Sequence, residues 1–250
     1  PYSPRTPESV VAEIKELRAE VIYFEDEDFF LDPKRTERIC DLLIEQGLQK
    51  IFIAMTRIDI ARYPARLFRK LEQAGFKAIL IGLESPHDKV LQQFEKGFTS
   101  QDVRNAFQTL KNYPFYYHCF FIYGNLGESR AEMLSIARFA KEIGVDSIYA
   151  QPLQQRKFSP LQELVAQTPG YYLNSDGFVC SEAYNLDALR RIGRLINRRF
   201  YTPRQVYQML RKLYRLRVLT LTAPFIFIPL LPRLPGVFYS GLAKRLRKRW

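Results

Sequence analysis

Apolar residues along this chain recur with two alternating periods. Helical spacing at Val10, Val11, Ile14 and Leu17 predicts a helix over 6–20, with Thr6 as its cap and Pro7 in its first turn. It leads into Val21, Ile22, Tyr23 and Phe24, a short unbroken run that reads as a buried strand. The beat then repeats. A helix over 33–46 ends at Gly47 before a strand over 51–54, and a helix over 62–74 ends at Gly75 before a strand over 78–83. Val90, Leu91 and Phe94 keep helical spacing, and a helix over 101–110, capped by Thr99 or Ser100, precedes an aromatic strand over 115–123. A helix over 130–143 ends at Gly144 before a last strand over 147–150. Five strands alternating with helices, each followed by polar residues, predict an α/β fold with a parallel sheet, either doubly wound or part of a barrel.

Past Leu153 the alternation stops. SPLQELV reads as a helix fragment, and TPGYYLNSDGFVC reads as a loop or hairpin turning at 174–177. Two basic helices come next, over 186–200 with Leu189, Ile192, Leu195 and Ile196, and over 203–217 with Val206, Met209, Leu210 and Leu213. Residues 218–232 carry no charge but hold three prolines, too short and too broken a run for a spanning helix. With LAKRLRKRW after it, this tail suits a monotopic contact with an anionic membrane surface. The alternative is that the apolar run packs on the chain's own core.

Charge sharpens that division. The 250 residues are 47% apolar and 26% charged, a balance that excludes global disorder, and carry a net +12. Up to Asp187 there are 22 Lys and Arg against 26 Asp and Glu, whereas beyond it there are 16 basic residues and no acid. Such a tail could also track nucleic-acid phosphates, but a phosphate groove has little use for FIFIPLLP. Cys40, Cys119 and Cys180 are odd in number and far apart, which excludes a disulfide framework and a zinc knuckle and points to a reducing cytoplasm. PYSPRTPESV shows no export or transit segment. The expected location is cytoplasmic, peripheral on the membrane.

Candidate chemistry gathers where strands end. Glu25, Asp26, Glu27 and Asp28 close the first strand, on the edge that carries binding loops in α/β folds, while Asp32 before Pro33 suits a helix cap. TRID, GLES and GNLGES end the next three strands. Arg57 is either a ligand contact or an ion pair with Asp59. Glu84 comes directly after a nearly all-apolar strand and is therefore half-buried and in want of a partner. Gly127 permits close backbone approach or simply makes a turn. His118, inside YYHCFF, either faces a lumen as a proton donor or substrate contact or is a hydrogen-bonded core residue. Cys119 beside it packs as a small hydrophobe, and His87 reads as a helix-start surface residue.

Taken in order, FEDEDFFLD, TRID, GLES and IYGNLGES resemble the radical S-adenosylmethionine (SAM) enzymes. The closer resemblance is to the cobalamin-binding subgroup that includes anaerobic Mg-protoporphyrin ester cyclase and hopanoid-modifying enzymes, and it covers roughly residues 1–200. It implies a partial (β/α)6 TIM-like barrel over 1–155, a loop and helical extension over 156–202 and a basic apolar tail over 203–250. It also implies a [4Fe-4S] cluster on a CxxxCxxC triplet after the family's first strand. This chain has no such triplet, and its opening resembles the segment immediately downstream of the cysteine loop. The expectation is a chain that begins just past that loop, without the first strand, the cluster loop and any cobalamin domain.

By that resemblance Asp26 and Glu27 take the methionine amino group, for which carboxylates are the charge-assisted acceptors. Arg57, Glu84 and Ser85 reach the cofactor's carboxylate and ribose, and Ile122, Gly124, Gly127 and Glu128 match the GxIxGxxE pattern that holds adenine. The implied reaction is radical C–H functionalisation, methylation or cyclisation, of a lipid-like or tetrapyrrole substrate, with electrons from a ferredoxin or flavodoxin. The rival readings are a barrel or adaptor without a cluster and a nucleic-acid-binding protein.

Overall fold

The structure, a computed structural model, describes residues 3–155 and 161–218. Five (β/α) units run in chain order. They are α1 (Pro7–Glu16), β1 (Val21–Phe24), α2 (Pro33–Glu45), β2 (Ile51–Thr56), α3 (Ala65–Ala74), β3 (Phe76–Glu84), α4 (Asp88–Gln93), α5 (Ser100–Leu110), β4 (Tyr116–Tyr123), α6 (Arg130–Ile143) and β5 (Ser147–Pro152). The strands pair in the order β1-β2-β3-β4-β5, all parallel. All their carboxyl ends therefore share one edge.

Local chemistry explains most boundaries. Thr6 accepts from the Ser9 N–H, and Asp32 accepts from the N–H groups of Lys34 and Arg35 with Pro33 behind it. Thr99 and Asp102 form a capping box, and Gly75 and Gly144 close α3 and α6 in left-handed conformation. Two boundaries differ from the sequence pattern by three residues or more. The first helix stops at Glu16, with Leu17 extended, because the chain must straighten to enter β1. The helix expected from residue 62 starts at Ala65, after a 3-10 turn over Ile58–Arg62 and Pro64.

The sheet has two different faces. Ile22, Phe24, Phe52, Ile79, Ile81, Leu83, Tyr117, Cys119 and Phe121 are buried in one continuous core with the apolar faces of α1 to α6. The alternate residues of β2 to β5, among them Ile53, Leu80, His118 and Ser147, point the other way. On that second face lie α7 (Leu161–Ala166), an antiparallel hairpin of β6 (Tyr171–Leu173) and β7 (Val179–Ser181), and α9 (Pro203–Arg215), whereas α8 (Leu186–Phe200) packs beside α6 and puts Leu189, Ile192, Ile196 and Phe200 into the continuous core. The hairpin turns where expected, with Asn174 accepting from the N–H groups of Asp176 and Phe178.

α9 fills the lower part of the second face. Met209 is buried with Ala78 and Tyr116, and Val206, Leu210 and Leu213 pack beside Ile53 and Leu80. Lys212 pairs with Asp146 at 2.6 Å, and the Gln205 amide donates to the carbonyls of Val145 and Asp146. The apolar stripe of residues 203–215, assigned from sequence to a membrane-contacting tail, is thus turned to the sheet. Residues 219–250, which hold the rest of that assignment, lie outside the described residues. No helix among the described residues is long and apolar enough to cross a membrane.

Candidate functional site

Side chains tie the strand ends into a row along the carboxyl edge. The β1 loop is pinned to β2: the Thr56 hydroxyl donates to Asp28 at 2.8 Å, and the Phe29 N–H to the Met55 carbonyl. Burial raises the Asp28 carboxyl above its usual range, with the Thr56 bond opposing it. Asp28 and Asp32 are therefore structural acids. Asp26 and Glu27 precede them, exposed, with no hydrogen bond or ion pair to other described residues. Their carboxylates are free to accept from a ligand.

Arg57, one strand over, is committed on two sides. Its Nε pairs with Asp59 at 3.3 Å and its Nη2 donates to the Lys96 carbonyl at 2.7 Å. Of the two alternatives read from sequence for this residue, the ion pair exists, while Nη1 remains on a half-exposed guanidinium.

Nothing in the sequence pattern marks Lys96. It sits in the α4–α5 loop between Glu95 and Gly97, both at positive φ, and this double left-handed turn aims its ammonium at Glu84 Oε1, 2.8 Å away. Glu84 is itself unusual. It closes β3 at φ +65°, where the β3–β4 register shifts, and its side chain is 16% exposed. A non-glycine residue held there costs on the order of 1–3 kcal/mol. Ser85 behind it is fully buried and accepts from the His87 N–H, so it shapes the loop and does not face the edge. His87 caps α4, and its Nε2 lies 3.0 Å from Ser135 Oγ and 3.2 Å from the Glu132 carbonyl. It bridges α4 to α6 and is not a surface residue.

The β4 loop forms a second group. Gly124 and Gly127 adopt φ +76° and +69°. A Cβ on Gly124 would meet Leu189 at 2.9 Å, whereas Gly127 opens onto free space. Glu128, 4% exposed, accepts from both the backbone and side-chain N–H groups of Asn125 at 3.0 Å. It holds the loop from below, and burial raises its carboxyl above the usual range. Its Oε1 and the Asn125 Oδ1 have no partner among the described residues, and both residues line a cavity of about 10 Å³ with Gly124, Tyr171 and Cys180, room for about one water. Ile122 lies on the second sheet face beside Leu153, Val165 and Val179, under α7 and the hairpin.

On that same face, His118 Nδ1 lies 2.7 Å from Ser147 Oγ, and Nε2 is buried without a partner among the described residues. Burial lowers the imidazole to about 4, so the ring is neutral near pH 7. It stands edge-on to Phe120 at 4.8 Å between ring centres. The hydrogen-bonded reading of this residue matches its buried pairing with Ser147. Cys119, behind it, is fully buried in the outer core.

An edge of this kind, with free carboxylates, one strained acid, a buried-side cation and a glycine loop, can receive a ligand that carries both an ammonium and hydroxyl groups. The Radical SAM superfamily model matches residues 1–140. The chain belongs to that superfamily. An uncharacterized methyltransferase of Pyrococcus horikoshii is 28% identical over 148 residues, which is 58% of this chain and 31% of the relative. The radical SAM methyltransferase TsrM of Kitasatospora setae, solved with cobalamin and a [4Fe-4S] cluster bound, superposes with a TM-score of 0.60 at 13% identity, covering 88% of this chain and 47% of TsrM. Coproporphyrinogen III oxidase (HemN) of Escherichia coli gives 0.55 at 12% identity, over 74% of this chain and 41% of HemN. The chain thus has the radical SAM TIM-like barrel fold and spans about a third to a half of these relatives.

The residues present fit SAM and the cluster unequally. The open space beside Gly127 and the carboxylates of Asp26 and Glu27, unpartnered among the described residues, suit SAM. The cluster has no such fit. Cys40, Cys119 and Cys180 are buried on separate elements, and no three His, Cys, Asp or Glu side chains among the described residues converge to hold a metal.

Proposed function

We propose that this chain is the SAM-binding barrel portion of a cobalamin-dependent radical SAM enzyme that methylates or cyclises a lipid-like or tetrapyrrole substrate at an unactivated carbon. The observation that carries this reading is Glu84, kept in left-handed conformation at the β3 end with Lys96 against it. The kinship with a methyltransferase supports transfer of a methyl group over cyclisation.

In this reading Asp26 and Glu27 accept the ammonium of SAM, Arg57 and Lys96 meet its carboxylate, and Glu84 accepts from ribose hydroxyls. Ile122 and the Gly124–Gly127 backbone pack against adenine, with Ser85 and Glu128 holding those loops in place. SAM supplies the transferable carbon chemistry, while the protein binds it, orients it and keeps water away. The cluster, a cobalamin, and a ferredoxin or flavodoxin electron donor are partners of the whole enzyme. So is an anionic membrane surface, which a lipid-like substrate calls for. No step of the reduction falls to the residues of this edge.

A second reading, a barrel or adaptor without a cluster, is favoured by the three scattered cysteines. Calorimetric titration with SAM separates the two. Micromolar binding, weakened at least about tenfold in Glu84→Gln and in Asp26→Asn/Glu27→Gln, supports the cofactor site, since each removes a charge-assisted contact. Absence of SAM binding, or binding that ignores all three substitutions, overturns it.

A further inference from the structure

We propose that the outward face of α9 docks on an anionic lipid bilayer. This extends the membrane part of the functional reading to named residues, and it can fail while SAM binding stands.

α9 uses its two sides differently. Its apolar side, Val206, Met209, Leu210 and Leu213, is consumed by the sheet. Its other side displays Arg204, Tyr207, Arg211, Tyr214 and Arg215, spaced by three and four residues so that they form one stripe. Tyr207 is 65% exposed and Tyr214 is 57% exposed. The three arginines have no ion pair among the described residues, and the last acid of the chain is Asp187. A stripe of guanidinium groups without ion pairs among the described residues, interleaved with exposed aromatic rings, matches a headgroup layer. There arginine meets lipid phosphate, and tyrosine keeps its ring in the interface with its hydroxyl wet.

The sequence beyond α9 selects lipid over nucleic acid. From Val218 the chain continues through 15 uncharged residues, then six basic ones ending in KRLRKRW. Nucleic-acid binding uses the arginines and gains nothing from the uncharged run, while a bilayer uses both. Because the apolar side of α9 is already covered, α9 itself contributes charge and interfacial rings, not insertion. It also lies at the Val145–Asp146 end of the sheet, away from the carboxyl edge. Docking there leaves the SAM edge open to other parts of the enzyme.

The test is sedimentation of the full 250-residue protein with phosphatidylcholine vesicles, with and without phosphatidylglycerol, at low and high salt. The parent is expected to bind only the anionic vesicles at low salt. The triple reversal Arg204→Glu/Arg211→Glu/Arg215→Glu is expected to lower partition at least about 100-fold, and the milder triple change to Gln roughly 10-fold to 100-fold. Circular dichroism and SAM titration on the same variants report the fold and the cofactor site separately. The proposal is overturned if the parent ignores anionic vesicles, if the folded variants bind them as well as the parent, or if the protein retains RNA in a salt-dependent way without vesicle affinity.

Discussion

Lys96 reaches from the α4–α5 loop to donate to Glu84 Oε1 at 2.8 Å, while its own carbonyl accepts from Arg57. Two strand-end motifs far apart in sequence become one hydrogen-bonded unit through a lysine. Glu84 holds φ +65° in that unit, so its side chain has to justify a backbone that glycine would adopt freely. Glu84→Gly should be at least as stable in urea as Glu84→Gln, because it removes the backbone strain. Both should lose at least about tenfold in SAM affinity by calorimetry. A Glu84→Gly protein that binds SAM like the parent would return this residue to a purely structural role.

Gly124 and Gly127 share a left-handed backbone but differ in surroundings. Gly127→Ala bears only the backbone penalty and should cost about 1–2 kcal/mol. Gly124→Ala adds a Cβ 2.9 Å from Leu189, so a core side chain on α8 must move, and the cost should rise to roughly 2–4 kcal/mol. Urea melts of the two variants give the comparison. Equal losses would mean that α8 yields freely at Leu189.

Asp146 and Lys212 anchor α9 to the foot of the sheet. The Asp146 side chain is 12% exposed and also accepts from the Tyr117 N–H at 2.8 Å, while Lys212 stands over the Tyr117 ring. Asp146→Ala orphans a buried amide and a half-buried cation together and should cost about 3–5 kcal/mol, as for other broken buried pairs. Lys212→Met leaves Asp146 its amide partner and keeps the packing, so its cost should be smaller. The ordering, read from urea midpoints, is the test.

These elements also mark where sequence reading succeeds and stops. Caps such as Thr6, Asp32 and Thr99 and terminators such as Gly75 and Gly144 act on backbone within four residues, so spacing alone locates them. The parallel alternation arises from the same local beat. The position of α9 is not legible, because periodicity shows that a helix has an apolar face without showing which surface covers it. Lys96 escapes notice for a related reason. Its partner is 12 residues away across a loop whose left-handed turn falls at Glu95, a residue type that gives no such warning. For the candidate site, the strand-end order is visible, while the division of labour within EDED requires seeing Asp28 bound to Thr56 and Asp26 and Glu27 left open.

Glu128 is a buried acid whose charge the loop does not need. Its Oε2 takes two N–H groups from Asn125, which a glutamine carbonyl can also accept. The folded carboxyl sits above its ordinary value, so the parent gains stability as pH falls through the folded value and is penalised above it. Glu128→Gln should therefore be more stable than the parent near pH 7, an advantage that shrinks as pH falls. Thermal melts across that range give the answer, and a glutamine variant destabilised at every pH would show that the carboxylate itself is required.

His118 sets the acid limit from the other direction. Burial holds its imidazole at about 4 in the fold, against about 6.5 in an unfolded chain. Between these values the unfolded state takes a proton that the folded state refuses. Its neutral form is fully compatible with the fold above about pH 6.5, and stability falls as pH drops from there toward 4. At pH 5 the loss should be about 2 kcal/mol. His118→Gln, which keeps a polar group opposite Ser147, should flatten that part of the stability curve. The chain holds only two histidines, so ring 15N shifts in the parent and in a His87→Gln background can follow His118 directly. An imidazole that titrates near 6.5 in the folded protein would place it in open water, and the buried pairing with Ser147 would have to be abandoned.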